Sequence, residues 1–142
     1  MPWREFGTTA DTGIEVEEST LAELFKTAAK AFTELSTDIT KLKPSKLMRI
    51  VIEHVGLDYL LKDWLDEFLY AFEVYDILPV NFKRMELVKV DKDIMKIDAE
   101  VLFAEWVRGK HESRTEIKAV TYHMLKVELK NDMWHGRVIF DI

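Results

Sequence analysis

The spacing of apolar and polar residues predicts two amphipathic helices in this chain. Thr20, followed three residues later by Glu23, is a pattern typical of a helix start, and apolar residues then recur at helical spacing as far as Leu35. The same spacing returns from Leu57 to Phe72, where it makes a broader apolar face with charged residues opposite. Each helix is therefore expected to bury one face.

Other segments alternate between apolar and polar residues, which is typical of strands. Two short ones, residues 3–6 and 14–16, flank a small and polar loop, 7–13, that carries Asp11. A third strand is predicted over residues 47–55, between the two helices. After Pro79 four more strands form two predicted hairpins, the second turning at Asn131 and Asp132: residues 82–90, 94–106, 118–130 and 134–141.

This order of elements favours an α+β fold, with two helices packed on a mostly antiparallel β-sheet. The chain has 142 residues and 48% hydrophobic content, which suits one core. No internal repeat or linker-like stretch divides it. We therefore expect a single domain over residues 1–142.

Composition narrows the function classes. A protein that binds a phosphate backbone by itself usually carries positive charge, whereas the net charge of this chain is −6. RNA contact is therefore expected to be weak or indirect. The absence of cysteine excludes disulfides, thiol catalysis and thiolate zinc sites. The sequence offers neither an apolar leader nor about 18 consecutive uncharged apolar residues, so no membrane association is predicted and the cytoplasm is the default location.

The last two residues, Asp141 and Ile142, bring a side-chain carboxylate and an α-carboxylate within one residue of each other. Hard oxygen ligands of this kind suit Ca²⁺ or Mg²⁺ if a third carboxylate joins them. The alternative is a frayed and solvated terminus. The apolar residues 138–140 favour an end that is anchored in a sheet.

A two-residue turn in the last hairpin would set its register. Asp141 would then face Tyr122, and His135 would face Glu128. In that register Lys118, Tyr122 and Asp141 share one face of the sheet. A shift of one residue would undo the arrangement.

Three further features bear on the candidate chemistry. Asp11 is either a ligand that bends toward another element or a turn residue that satisfies local N–H groups. Residues 108–116 are a polar and partly basic segment that could touch RNA or an acidic partner, or could be a solvated loop. The four histidines, His54, His111, His123 and His135, show no short paired spacing of the kind that zinc sites use.

The sequence contains no phosphate-binding glycine loop, nucleophile elbow or zinc-protease helix, so a conventional enzyme is not indicated.

Two sequence blocks resemble the archease family. Residues 8–14, TTADTGI, resemble its signature His-Thr-Ala-Asp-x-Gly-Ile, and residues 115–123, TEIKAVTYH, are similar to its strand Thr-Glu-Val-Lys-Ala-Val-Thr-Tyr-His. The chain also closes on Asp-Ile, as archeases do. It departs from the pattern at Thr8, where the family usually has histidine. Because threonine offers a hydroxyl in place of an imidazole, calcium or magnesium is favoured over zinc.

The resemblance implies an α+β fold, a metal site built from Asp11, Asp141 and the Ile142 carboxylate, and a further functional position at Lys118. It implies a cofactor protein, not an enzyme, that promotes guanylylation and repeated turnover of the GTP-dependent RNA ligase of tRNA splicing. It also implies a chaperone-like role toward RNA or tRNA methyltransferases. Two alternatives stay open: a metal-dependent phosphohydrolase that uses the same carboxylates, and a metal-independent RNA chaperone that uses residues 108–114.

Overall fold

Two antiparallel sheets and two α-helices organise the part of the chain that the structure, a computed structural model, describes: residues 2–7 and 10–142. The elements in chain order are β1 Trp3–Gly7, β2 Asp11–Glu18, α1 Leu21–Ser36, a 3₁₀ turn Ile39–Lys41, β3 Lys46–Val55, α2 Leu57–Tyr75, β4 Ile77–Lys89, β5 Ile94–Glu105, β6 Ala119–Val120, β7 Lys126–Lys130 and β8 Met133–Asp141. The predicted α+β class is confirmed.

Helix α1 begins where the sequence predicts. The Thr20 hydroxyl accepts a hydrogen bond from the Glu23 backbone N–H at 3.1 Å and so caps the first turn. The Glu23 carboxylate pairs with Lys26 at 3.3 Å. The apolar stripe is fully buried at Leu24 and Phe32, which lie in the core.

Helix α2 starts after Gly56, whose φ of +79° suits glycine, and ends at Asp76 in the left-handed region with φ of +54°. Its predicted broad face is buried. Trp64 is the largest side chain there, and its indole N–H donates to the Phe25 carbonyl of α1 at 2.9 Å, which ties the two helices together.

The strands divide between two sheets, a division that the pattern did not predict. The larger sheet has the order β1-β2-β8-β6, with β7 also paired to β8, and the smaller has the order β3-β5-β4. Helix α1 contacts β2 and β8 of the larger sheet and β4 of the smaller, while α2 contacts β3, β4, β6 and β7. One core therefore joins both sheets through the helices. No α-helix within the described ranges is long and apolar enough to cross a membrane.

Candidate functional site

The site forms where strand β8 ends. Asp141, the last residue of β8, lies opposite Asp11 on β2 and opposite Ala119 on β6. The neighbouring residues Thr12 and Phe140 are buried, and the Phe140 ring packs edge-on against Phe32 of α1, with ring centroids 6.2 Å apart. Because side chains alternate along a strand, Asp11 and Asp141 share the outer face of the sheet, where directly opposed residues have Cβ atoms about 4.5–5.5 Å apart.

Lys118 lies beside this pair. Its backbone N–H donates to the Asp141 carbonyl oxygen at 2.8 Å, and its side chain is exposed. Ile142 follows Asp141 directly and is itself exposed. The structure thus brings together the four residues that the resemblance implies: Asp11 on β2, Asp141 on β8, Ile142 directly after β8 and Lys118 in the segment before β6.

The close approach of β1 to β2 holds the backbone of Asp11 in place. Gly7 has a φ of +157°, and a Cβ atom at this position would lie 2.7 Å from the Asp11 carbonyl oxygen. At Gly13 a Cβ atom would lie 2.7 Å from the ring of Phe6, which packs over it. Two glycines therefore let the neighbouring strand and its phenylalanine come close enough to hold the start of β2.

Asp11 is the first residue of β2, so its predicted place in a loop over residues 7–13 was wrong. Pairing with β8 extends β2 further toward the N-terminus than its local sequence indicates. Thr8, where the family pattern has histidine, lies outside the residues that the structure describes.

The register predicted for the last hairpin is correct near its turn and wrong at its far end. Glu128 faces His135 as predicted, but Asp141 faces Ala119 and not Tyr122. Residues 118–130 do not form one strand, because the chain turns between β6 and β7, with Met124 at a φ of +55°. Tyr122 is exposed in that turn, where its ring lies against Tyr59 and Lys62 of α2, so it leaves the face that Asp141 occupies.

The donor chemistry fits a hard divalent cation. Asp11 and Asp141 offer carboxylate oxygens, and the Ile142 α-carboxylate is one residue away, so every candidate donor is oxygen. Two like charges on directly opposed residues destabilise a sheet unless a positive charge offsets them. Within residues 2–7 and 10–142, no group of three His, Cys, Asp or Glu side chains is placed to hold a metal, so the α-carboxylate would have to complete the set.

The rest of the outer face carries charges that sequence reasoning missed. Arg4, Glu15, Arg137 and Lys126 line up across β1, β2, β8 and β7 and border a groove of about 340 Å³. Arg4 pairs with Glu15 at 2.6 Å. Only the pairing of distant strands places them side by side, so no local sequence signal marks them.

The segment of residues 108–116 is docked on α1. The Arg114 side chain donates to the Glu112 carboxylate at 2.6 Å and to the Glu34 carbonyl at 3.1 Å, and its backbone N–H donates to the Ser36 carbonyl at 3.0 Å. These contacts direct the arginine toward the chain itself, which weakens the RNA-binding alternative.

Three of the four histidines have separate local partners. His54 lies 3.6 Å from the Asp63 carboxylate and His135 lies 3.7 Å from that of Glu17, while the His111 Nδ1 atom accepts from the Val107 N–H at 2.8 Å. They occupy different elements and do not converge on the site at the end of β8.

Comparison with known proteins decides the family. The family model described as the archease protein family matches residues 3–142. The chain belongs to the archease protein family. An archease from Methanopyrus kandleri is 34% identical over the whole length of both chains, and one from Methanosarcina acetivorans is 34% identical over 94% of this chain and 91% of its own.

Solved structures agree with this archease fold. The solution structure of a Methanobacterium thermoautotrophicum protein matches with a TM-score of 0.84 and 30% identity over 99% of each chain. The crystal structure of a Thermotoga maritima archease, described as a possible chaperone, matches with a TM-score of 0.63 and 22% identity over 96% of this chain and 94% of its own. At 22% identity this second match supports the fold alone.

Proposed function

We propose that this archease is a metal-binding cofactor protein, without catalytic activity of its own, that activates the GTP-dependent RNA ligase of tRNA splicing. In this role it promotes guanylylation and repeated turnover of the ligase in the cytoplasm. RNA methyltransferases are a second class of partner for the same chaperone-like action. The observation that carries the proposal is the cross-strand pair Asp11 and Asp141, with Lys118 hydrogen-bonded beside it.

The cation would be held by Asp11, Asp141 and the Ile142 α-carboxylate, with Ca²⁺ or Mg²⁺ as the ion. Once bound, it would offset the opposed carboxylates and present a positive centre to phosphate oxygens. The two strands contribute pre-organisation, because their pairing fixes both carboxylates on one face before any ligand arrives.

The net charge of −6 supports a protein partner with a cationic docking surface. Complementary charge of this kind speeds encounter and fixes orientation. Contact with RNA would then be weak or indirect, since the carboxylates repel a phosphate backbone unless a cation intervenes.

Lys118 has two candidate roles in this scheme. Its ammonium group would either offset the charge of Asp141 or contact a nucleotide phosphate at the partner's site. The two roles differ in their effect on cation affinity, which makes them separable by experiment.

The test is multiple-turnover RNA ligation by a cognate ligase with and without this protein. We expect Asp141→Asn to abolish the stimulation and Asp132→Asn, the same change in an exposed turn, to retain it. A cognate ligase that is not stimulated at all would overturn the proposal. Hydrolysis of phosphate esters by the purified protein, lost in Asp11→Asn, would favour the phosphohydrolase alternative.

A further inference from the structure

Strand β3 forms an edge of the three-stranded sheet. The sheet has the order β3-β5-β4, and no described strand pairs with the other side of β3. Its outer face exposes three apolar side chains, with exposed fractions of 44% at Leu47, 48% at Val51 and 54% at Val55. A long edge strand with exposed apolar residues is a template for pairing with another strand.

Hydrogen bonds at the end of β3 show which backbone groups point to this edge. The Gly56 N–H donates to the Asp93 carbonyl at 2.9 Å, which continues the register of β3 with β5. The Val55 N–H instead binds the imidazole Nδ1 of His54 at 2.8 Å. Because donors alternate in direction along an antiparallel strand, the backbone groups of residues 47, 49, 51, 53 and 55 point away from β5.

The opposite edge of the same sheet is different. Strand β4 contains Pro79 and two irregularities of register, between Pro79 and Asn81 and between Phe82 and Arg84. Proline and bulges are the devices that prevent an edge from pairing. Strand β3 keeps an unbroken register over residues 46–55 and contains no proline. Its edge therefore lacks the features that protect β4.

The outward residues of β3 are complementary to themselves. If a second copy pairs antiparallel about Val51, then Val51 faces its own copy, Arg49 faces Glu53, and Leu47 faces Val55. A shift of two residues would place Arg49 or Glu53 opposite Val51 and lose these matches. We propose that β3 pairs with β3 of a second copy of this chain about a two-fold axis at Val51, which joins two three-stranded sheets into one.

Neighbouring charges favour this register. Arg49 is held by Asp98 of β5, to which its Nε and Nη2 atoms donate at 3.0 and 2.8 Å, and Glu53 lies opposite Lys96 of β5. In the pair, Asp98, Arg49, Glu53 of the second copy and its Lys96 form a line of alternating charge. The interface uses the same surface on both copies, so it closes as a dimer and does not grow into a fibre.

Disulfide trapping tests the two-fold position. The chain contains no cysteine, so Val51→Cys adds a single thiol. Opposed residues of a hydrogen-bonded antiparallel pair have Cα atoms about 5.5 Å apart, within the range of about 4.4–6.8 Å that disulfides span. We expect oxidation to yield a covalent dimer. Val88→Cys, on β4 and 43% exposed, is the control and should stay monomeric. Equal cross-linking of the two variants, or none at Val51→Cys, overturns the proposal.

Charge reversal provides a second readout, by sedimentation at protein concentrations up to about 1 mM, where even a weak interface is populated. Glu53→Arg and Arg49→Glu should each be monomeric, since like charges then oppose one another in both pairs. An equimolar mixture should form a heterodimer, because the opposed charges are complementary again. Glu53→Arg keeps the contact of Arg49 with Asp98, so its loss of dimer does not reflect that contact.

A native chain that keeps its monomer mass of 16.7 kDa at every concentration would overturn the proposal and leave the edge to another protein. A native dimer with no heterodimer in the mixture would overturn it as well. Ligase stimulation is measured separately, so failure of the dimer and failure of the proposed function are distinguishable.

Discussion

Asp11 and Asp141 are direct cross-strand partners, one at the start of β2 and the other at the end of β8. Their carboxylates lie on the outer face of the larger sheet, although 129 positions separate them in the chain, from 11 to 141 with both ends excluded. Opposed like charges of this kind weaken a sheet by themselves. The proposed divalent cation would offset these charges, and the first predictions concern it.

Calcium should stabilise the native chain. A ligand that binds only the folded state adds RT ln(1 + [L]/Kd), about 2.7 kcal/mol at a hundredfold excess over Kd. We expect Asp141→Asn to remove most of this gain and to raise the melting temperature slightly without calcium, because a like charge is lost. Asp132→Asn should behave as the native chain. Thermal unfolding with and without Ca²⁺ measures both effects, and an equal gain in all three proteins would contradict the site.

The α-carboxylate of Ile142 should contribute to the same site. Appending residues after Ile142 moves this carboxylate away from Asp141, so most of the calcium-dependent gain in melting temperature should be lost. Ile142→Ala keeps the carboxylate and removes only the side chain, and it should retain the gain. If the lengthened chain gains as much as the native one, the terminal carboxylate is not a ligand.

Lys118→Met should abolish stimulation of ligation while leaving the fold intact, since the side chain is exposed. Calorimetric titration with Ca²⁺ then separates its two roles. Tighter calcium binding in the variant indicates that the ammonium offsets the carboxylates, whereas unchanged binding indicates contact with phosphate. Lys130→Met, on β7, is the matched control, and equal loss of stimulation in both variants would remove the special role of Lys118.

Gly7→Ala should destabilise the fold and weaken calcium binding. The new Cβ atom would meet the Asp11 carbonyl at 2.7 Å, and the positive φ adds strain that costs about 1–3 kcal/mol. Gly109→Ala is the control, because its φ is +84° but no atom lies within 4 Å of the added carbon. Urea unfolding and calcium titration of both variants separate the effect of the close approach from the effect of the positive φ. Equal calcium affinity in the two would show that β1 does not position Asp11.

Asp98 should contribute stability that is lost in acid. Hydrogen bonds from Arg49 and then Arg84 hold the pKa of its carboxyl well below the ordinary range. A lowered folded pKa stabilises the fold above the unfolded pKa, near 4, and this contribution disappears as the pH falls toward the folded value. Asp98→Asn should therefore be less stable at neutral pH and lose less stability below about pH 4. Urea unfolding across that range checks it, with Asp93→Asn in an exposed turn as the control.

The last hairpin shows which turns and contacts the local sequence can predict and which it cannot. Asn131 and Asp132 adopt φ values of +53° and +63°, which their short polar side chains tolerate, so the turn and the pairing of Glu128 with His135 were predictable. The second turn, where Met124 takes a φ of +55°, has no such signal in its residues. It shifts the pairing of the preceding segment, and the predicted contact of Tyr122 with Asp141 fails there.

The sequence by itself determined both helices, the α+β class, the oxygen character of the candidate ligands and, through two motif blocks, the resemblance to archeases. These features depend on local periodicity and side-chain chemistry, which a linear chain displays. Only the tertiary structure decided that Asp11 begins a strand, that Asp141 lies opposite it, and that the strands divide into two sheets. Pairing between distant strands is set by burial of one shared core, because every strand offers the same backbone donors and acceptors and so carries little information about its partner.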